Sequence, residues 1–421
     1  MTTGTLAFII LAAIFAQILI LVLLRFYRRQ TQKQDLKIDA PQIRSQFNTP
    51  VSTSSESLIV DLAWQGFKEF IVQRREFEND NHSICSFYLE PTDRKLLPKF
   101  KPGQFLTFRL QIEDPATHEI KSVVRCYSLS DQPQTDCYRV TIKRVLAPVG
   151  QSHLPSGISS GFFHDQVYQG SKLLLKAPSG HFHLMDDEAL PIVLIAGGIG
   201  VTPMLSILNT LLEAGSQRPL WFFYGVRNGA EQIMKKHLES LVSSYTNFHL
   251  QLCYSKPRDF EVQGVDYHHK SRIDIPLLRG TLKKVRYQFY VCGPKPMMES
   301  LVPGLQRWGV DSNDIYYESF GPATLVKHKK ADTATKQAIT VTFSQSGKSI
   351  SWDPAADSLL EFAEANGIDV ASGCRAGSCG TCQTVLEKGE VEYNQQPDAD
   401  IELKHCLLCI ATPKGDITLA A

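Results

Sequence analysis

The stretch Gly373–Gln383, GCRAGSCGTCQ, together with Cys406–Pro413, CLLCIATP, decides more than any other part of the chain. Cys374, Cys379 and Cys382 have the spacing C-x4-C-x2-C, and Cys409 follows further along. That spacing, closed by a fourth thiolate, is a ligand pattern for a [2Fe-2S] cluster, a one-electron centre. Gly377 and Gly380, with the small Ser378 and Thr381, suit a loop whose backbone comes close to a cluster and aims N–H groups at its sulfurs. The alternative readings of these cysteines are a zinc site or a set of buried free thiols. Ten cysteines in 421 residues, the rest scattered singly, are too sparse for a disulfide framework. Cys406 competes with Cys409 for the fourth ligand position.

A chain of 421 residues, 43% apolar and 21% charged, can bury several cores, and its length suggests about two to four domains. The formal net charge of +1, with no basic stripe, gives no reason to expect nucleic acid. Leu6 to Leu24, LAFIILAAIFAQILILVLL, is apolar except for Gln17. It is long enough for a bilayer at about 1.5 Å per residue, so a single membrane span is expected. Arg25, Arg28, Arg29 and Lys33 crowd its C-terminal flank, which keeps the catalytic part cytoplasmic by the positive-inside rule and brings cations close to membrane lipid. The polar stretch that follows is expected to be a flexible tether reaching about 30 Å.

Past Leu62 the pattern turns to strands. Tyr138–Val145, YRVTIKRV, alternates with the period of a half-buried strand, and Lys101–Glu113 reads as a turn followed by another. Closely spaced strands of this kind predict a small antiparallel barrel. Alternation puts Arg125 and Tyr127 on one face, a cation beside an aromatic ring, able together to hold a phosphorylated planar cofactor. Gly157, Ile158, Ser159 and Ser160 open a short helix with a nest suited to a pyrophosphate. Pro191–Leu208, PIVLIAGGIGVTPMLSIL, is a buried strand, a glycine-rich turn and an apolar helix, as in a nucleotide-binding βα unit. Gly197, Gly198 and Gly200 let amides approach a second pyrophosphate, and Thr202 and Pro203 open the helix. Leu220–Arg227 and Tyr287–Met298 add two strands ending in turns where ligands of open α/β sheets bind.

The Arg-x-Tyr-Ser run, the Ala177–Phe182 segment and the Gly-Gly-x-Gly-x-Thr-Pro turn resemble the ferredoxin reductase superfamily. With the C-terminal cysteines, the order of modules resembles the phthalate dioxygenase reductase family and its FAD-using NADH oxidoreductase relatives, over about 60–421. The resemblance implies that Arg125 meets the flavin phosphate, Tyr127 packs on the isoalloxazine, Ser128 approaches its N5, and Thr141, Ile142 and Lys143 line the ring. It places Cys292, Gly293 and Pro294 beside the nicotinamide, Arg227 at the nucleotide, and Glu318 and Phe320 toward the flavin. Ser128 and Cys292 are the candidate catalytic residues. The segment Leu408–Pro413 resembles the strand that carries the last ligand in plant-type ferredoxins, which favours Cys409 over Cys406.

The expected architecture is multidomain: a transmembrane anchor over 1–25, the tether over 26–60, an antiparallel flavin-binding β-barrel over 61–186, and an α/β NAD-binding domain with a parallel sheet over 187–322. A linker over 323–337 and an α+β ferredoxin domain of β-grasp type over 338–421 complete it. The expected cofactors are the [2Fe-2S] cluster, FAD rather than FMN because the nest at Gly157 offers a pyrophosphate site, and NADH, with NADPH left open by Lys256 and Arg258. A nicotinamide gives two electrons as hydride and the cluster takes one, so a flavin is needed between them. The expected function is a membrane-anchored NAD(P)H-dependent reductase feeding a terminal electron acceptor such as an oxygenase, hydroxylase or desaturase component. The alternative is a membrane redox module that reduces quinone or senses the nicotinamide pool.

Overall fold

The structure, a computed structural model, describes residues 64–113, 118–146, 156–185, 190–319, 339–375, 377, 379–394, 397 and 399–421. The expected span Leu6–Leu24, the tether, Phe320 and the linker over 323–337 lie outside the described residues. Among the described residues no helix is long and apolar enough to cross a membrane.

The first module is one antiparallel sheet of six strands: β1 (Lys68–Phe77), β2 (Ile84–Pro91), β3 (Phe105–Glu113), β4 (Ile120–Ser128), β5 (Tyr138–Lys143) and β6 (Lys172–Leu175). Its order is β4-β3-β6-β1-β2-β5. The edge strands meet just past β4, through the bridge from Leu129 to Val140, so the sheet is a half-barrel rather than a fully laddered one. Phe70, Phe87, Phe108, Val140 and Phe163 fill it, each fully buried. Phe163 comes from helix α1 (Ile158–Gln166), and edge-on contacts with Phe87 and Phe108 fix that helix against the sheet.

The second module is a parallel sheet, β11-β10-β7-β8-β9, with β7 (Ile192–Gly197), β8 (Leu220–Val226), β9 (Phe248–Tyr254), β10 (Gln288–Gly293) and β11 (Ile315–Ser319). Both β7 and β10 are buried along their whole length, because helices cover both faces of such a sheet. The covering helices are α2 (Val201–Glu213), α3 (Lys235–Ser244), α4 (Ile275–Thr281) and α5 (Lys295–Trp308). The strand expected over 287–298 ends at Gly293, since Pro294 serves as the N-cap of α5.

The third module has a mixed sheet, β13-β12-β18-β14-β16, and a separate pair, β15 with β17. Its strands are β12 (Thr340–Phe343), β13 (Lys348–Ser351), β14 (Gln383–Lys388), β15 (Val391–Tyr393), β16 (His405–Leu407), β17 (Ala411–Pro413) and β18 (Ile417–Leu419). β12 runs parallel to β18 and antiparallel to β13, while helix α6 (Leu359–Ala365) buries Leu359, Leu360 and Phe362 beneath them. The Ser358 side chain accepts from the Glu361 N–H at 3.2 Å and starts that helix.

The half-barrel and the parallel sheet are joined through Asp131. Its carboxylate accepts from Asn209 Nδ2 at 2.8 Å and pairs with Arg139 at 3.2 Å, and its carbonyl accepts from the Ser206 hydroxyl at 2.8 Å. Asp131→Ala strips partners from two groups at once and is expected to cost about 1–2 kcal/mol, reduced by partial exposure. A thermal unfolding scan with a Tm equal to that of the wild type contradicts this account of the joint.

Candidate redox site

Strand β4 carries the flavin candidates. Tyr127 is half-buried and meets Phe108 and Phe163 edge-on at 5.7 and 5.1 Å, contacts that fix its ring plane. Burial pushes its phenol up, so the ring acts as a neutral surface. Arg125 is exposed, and its Nη1 donates to the Val124 carbonyl of its own strand at 2.7 Å. Ser128 ends the strand, 5% exposed.

Three of the ring-lining candidates sit differently from a simple row of contacts. The Thr141 hydroxyl is buried between those of Ser86 and Ser130, at 2.7 and 2.8 Å. Ile142 lies in the half-barrel core and its carbonyl meets His164 Nε2 at 3.0 Å. Lys143 reaches across to Glu231 at 3.4 Å, and Arg227 approaches the same carboxylate at 3.6 Å. Glu231, which the sequence did not single out, thus collects one flavin-ring candidate, Lys143, and one nucleotide candidate, Arg227.

The nest is crowded where glycine is required. A Cβ on Gly157 would stand 2.7 Å from Ser160 Oγ and 2.8 Å from Val145 Cβ. The Ser160 hydroxyl donates to the Gly157 carbonyl at 3.0 Å and accepts from the Val145 N–H at 3.1 Å, which ties the helix start to the end of β5. Ser159 is buried and Ile158 exposed. Among the described residues no side chain caps α1, which leaves its first N–H groups able to take a pyrophosphate.

In the parallel sheet two turns interlock. A Cβ on Gly200 would fall 2.3 Å from the Cys292 carbonyl oxygen, and one on Gly293 would fall 2.4 Å from Met297 Cε and 3.1 Å from the Gly197 nitrogen. Gly197 is closed off in the same way by Pro294 Cδ at 2.8 Å. Gly198 takes a φ of 55° and leads through a 3-10 turn into α2, whose N-cap, Gly200, also offers no side chain. The Thr202 hydroxyl donates to the Ile199 carbonyl at 3.1 Å, and Pro203 falls in the first helical turn, where a missing N–H costs nothing. Backbone can therefore approach a dinucleotide here and nothing bulkier could. Cys292 is fully buried, and burial pushes its thiol well above the usual range. Its side chain is a neutral packing group behind the turn.

Glu318 stands opposite Cys292 across the β10–β11 ladder. Its Oε2 is buried with no hydrogen-bond partner among the described residues. Burial first, then the nearby Cys374 sulfur, push its carboxyl up to about 8. An orphaned buried oxygen on this edge fits a group that the protein itself does not provide.

The cysteines converge. The Cys374 N–H donates to Cys379 Sγ at 3.2 Å and the Cys379 N–H donates to Cys374 Sγ at 3.3 Å. Contact with Cys409 pulls the Cys382 thiol down, and contact with the sulfurs of Cys374 and Cys382 pushes that of Cys409 up. A Cβ on Gly373 would meet Cys379 Sγ at 2.8 Å, and one on Gly377, at φ 74°, would meet Ile410 Cδ1 at 2.5 Å. Among the described residues no three acid, histidine or cysteine side chains are set to hold a single ion. The contacts of Cys374 with Cys379 and of Cys382 with Cys409, linked by that of Cys374 with Cys409, form two pairs of thiols that suit a binuclear cluster in which each iron takes two sulfurs. Cys409 lies in a 3-10 turn, Leu408–Ile410, rather than on the strand expected from Leu408 onward; the strand β17 begins only at Ala411. Cys406 faces the hydrophobic core opposite Thr384, fully buried, and burial pushes its thiol up to about 12.

Residues 194–302 match the oxidoreductase NAD-binding domain, and residues 341–414 match the 2Fe-2S iron-sulfur cluster binding domain. Together the two matches support a ferredoxin reductase-type NAD-binding module followed by a C-terminal 2Fe-2S ferredoxin domain. This chain is 37% identical over 260 residues to a flavohemoprotein of Halalkalibacterium halodurans, across 62% of this chain and 61% of that one. It spans about three-fifths of the length of the curated relatives it matches. The flavohem-like FAD/NAD binding domain of a nitric oxide dioxygenase from Vibrio cholerae is 27% identical, with a TM-score of 0.53 over 61% of this chain and 99% of that one. A phthalate dioxygenase reductase shares the fold at 24% identity and a TM-score of 0.50, over 85% of this chain and 98% of that one.

If Cys409 rather than Cys406 is the fourth ligand, Cys409→Ser purifies without the visible [2Fe-2S] absorbance and with reduced iron content, whereas Cys406→Ala keeps both. The reverse pattern reassigns the ligand.

Proposed function

We propose that this chain is a membrane-anchored, NADH-dependent reductase that delivers single electrons from its ferredoxin domain to a partner protein, such as an oxygenase, hydroxylase or desaturase component. The observation that carries this reading is the approach of the cluster loop, through Gly373, Cys374 and Cys379, to β4, the strand that bears Arg125, Tyr127 and Ser128. When bound, the nicotinamide, flavin and cluster supply the conversion of one hydride into two single electrons.

Each residue then has a task. Arg125, on the same face as Tyr127, is free to turn its guanidinium to a flavin phosphate, and the first turn of α1 takes a pyrophosphate, which favours FAD over FMN. Tyr127 presents a fixed apolar face, and Ser128 offers a buried hydroxyl at the end of the strand. The turns at Gly197–Gly200 and Cys292–Pro294 admit NADH by keeping the backbone bare. Glu318 places on the same edge a carboxyl that burial pushes up and that has an oxygen unpartnered among the described residues. The anchor rests on Leu6–Leu24 and its arginine flank, which also puts the catalytic part on the cytoplasmic side.

Purified full-length chain in detergent tests the choice of acceptor. NADH-dependent reduction of a one-electron acceptor protein such as cytochrome c is expected, and is expected to be lost in Cys409→Ser while ferricyanide reduction persists. Rapid quinone reduction that survives Cys409→Ser overturns this in favour of a membrane redox module. Deleting residues 1–25 is expected to release an active soluble chain, and retention on membranes after the deletion contradicts the anchor.

A further inference from the structure

One contact between modules is not accounted for by the ligand sets. Lys176 follows β6 on the half-barrel, with its backbone N–H donating to the Thr107 carbonyl at 2.9 Å. Its Nζ crosses to the ferredoxin domain and donates to the carbonyl of the cluster ligand Cys379 at 2.7 Å. Behind it lies Phe67, whose ring centroid is 5.4 Å from the Lys176 ammonium and 3.9 Å from the Arg109 guanidinium, so the lysine stem is held over an aromatic surface. Lys176 has a cation's full set of donors, and here one is spent on a loop carbonyl 203 positions away in sequence.

The same loop is met by β4. Val124 Cγ1 stands 3.1 Å from where a Cβ of Gly373 would be, and Cys126 is in hydrogen-bonding reach of the Cys374 and Cys379 sulfurs. Cys126 pairs across the sheet with Thr107, and their Sγ and Oγ1 are 3.3 Å apart. Thr107 therefore braces both contacts, through its carbonyl to Lys176 and its hydroxyl to Cys126. Alternation along β4 puts Arg125 and Tyr127 on one face and Val124 and Cys126 on the other. One strand thus separates the flavin candidates from the cluster loop by its own thickness.

We propose that Lys176 is a positioning residue for electron transfer: it clamps the cluster loop onto the outer face of β4 and, as a fixed cation beside the cluster, makes the cluster easier to reduce. This rests on the reading of the chain as a flavin-to-cluster reductase. A cluster held by four thiolates gains one negative charge on reduction, so an adjacent ammonium stabilises the reduced form more than the oxidised one. The short path across β4 exists only while the loop is held there. Loss of the lysine should lower the cluster potential and slow the flavin-to-cluster step together, without touching nicotinamide or flavin contacts.

The test compares full-length wild type, Lys176→Met and Lys176→Arg, each with its cluster loaded. A mediated redox titration, followed by electron paramagnetic resonance, gives the cluster potential, and stopped-flow absorbance after NADH mixing separates flavin bleaching from cluster bleaching. In Lys176→Met the one-electron reduction equilibrium is expected to weaken about tenfold, or about 59 mV. Cluster bleaching is expected to slow about tenfold or more while flavin bleaching keeps its rate. Lys176→Arg restores both. An unchanged potential and unchanged cluster bleaching in Lys176→Met overturn the clamp. If Lys176→Met fails to hold a cluster, Lys176→Arg decides: retention supports a role for the cation, and loss there too contradicts it. Wild-type protein whose cluster stays oxidised after its flavin has bleached defeats the underlying reading instead, and the titration with mediators still measures the effect of Lys176 on the potential.

Discussion

Strand β4 is the constraint on which the rest depends. A carrier that takes hydride and a centre that takes single electrons have to lie within a short distance, and here a single strand faces both. Its inner face, with Arg125 and Tyr127, is fixed by Phe108 and Phe163 of the half-barrel core. Its outer face, with Val124 and Cys126, bears the cluster loop. The period of two that makes a strand half-buried is what gives these residues opposite destinations.

The nucleotide side shows how backbone alone can make a binding surface. Gly197, Gly200 and Gly293 are placed so that any Cβ would collide with a neighbouring turn, which draws the ends of β7 and β10 together. The cost is a stretch with little side-chain packing of its own, and the fully buried runs of β7 and β10 offset it. Cys292 belongs to that packing. Its burial and neutral thiol make it a wall of the turn, and the polar group on this edge is Glu318, whose buried oxygen has no hydrogen-bond partner among the described residues.

Much of this was legible in the sequence because spacing encodes local backbone. The cysteine spacing, the glycine-rich turn and the alternation of YRVTIKRV each describe a few consecutive residues, and each corresponds to the loop, turn or strand observed. Side-chain destinations were harder to read. Thr141 turns its hydroxyl into a buried network with Ser86 and Ser130 because β5 pairs with β2, a register that no local pattern states. Lys143 and Arg227 meet at Glu231 across a module boundary, and Lys176 finds Cys379 across a much longer one. The 3-10 turn at Cys409 replaces the expected start of a strand, and only from Ala411 does β17 pair with β15.

The most direct measurement is an anaerobic titration of the purified chain with NADH, read by absorbance and by low-temperature electron paramagnetic resonance. The expected result is flavin bleaching accompanied by the signal of a reduced [2Fe-2S] cluster, in proportion to the electrons added. Full flavin bleaching with an oxidised, silent cluster would contradict a transfer path across β4.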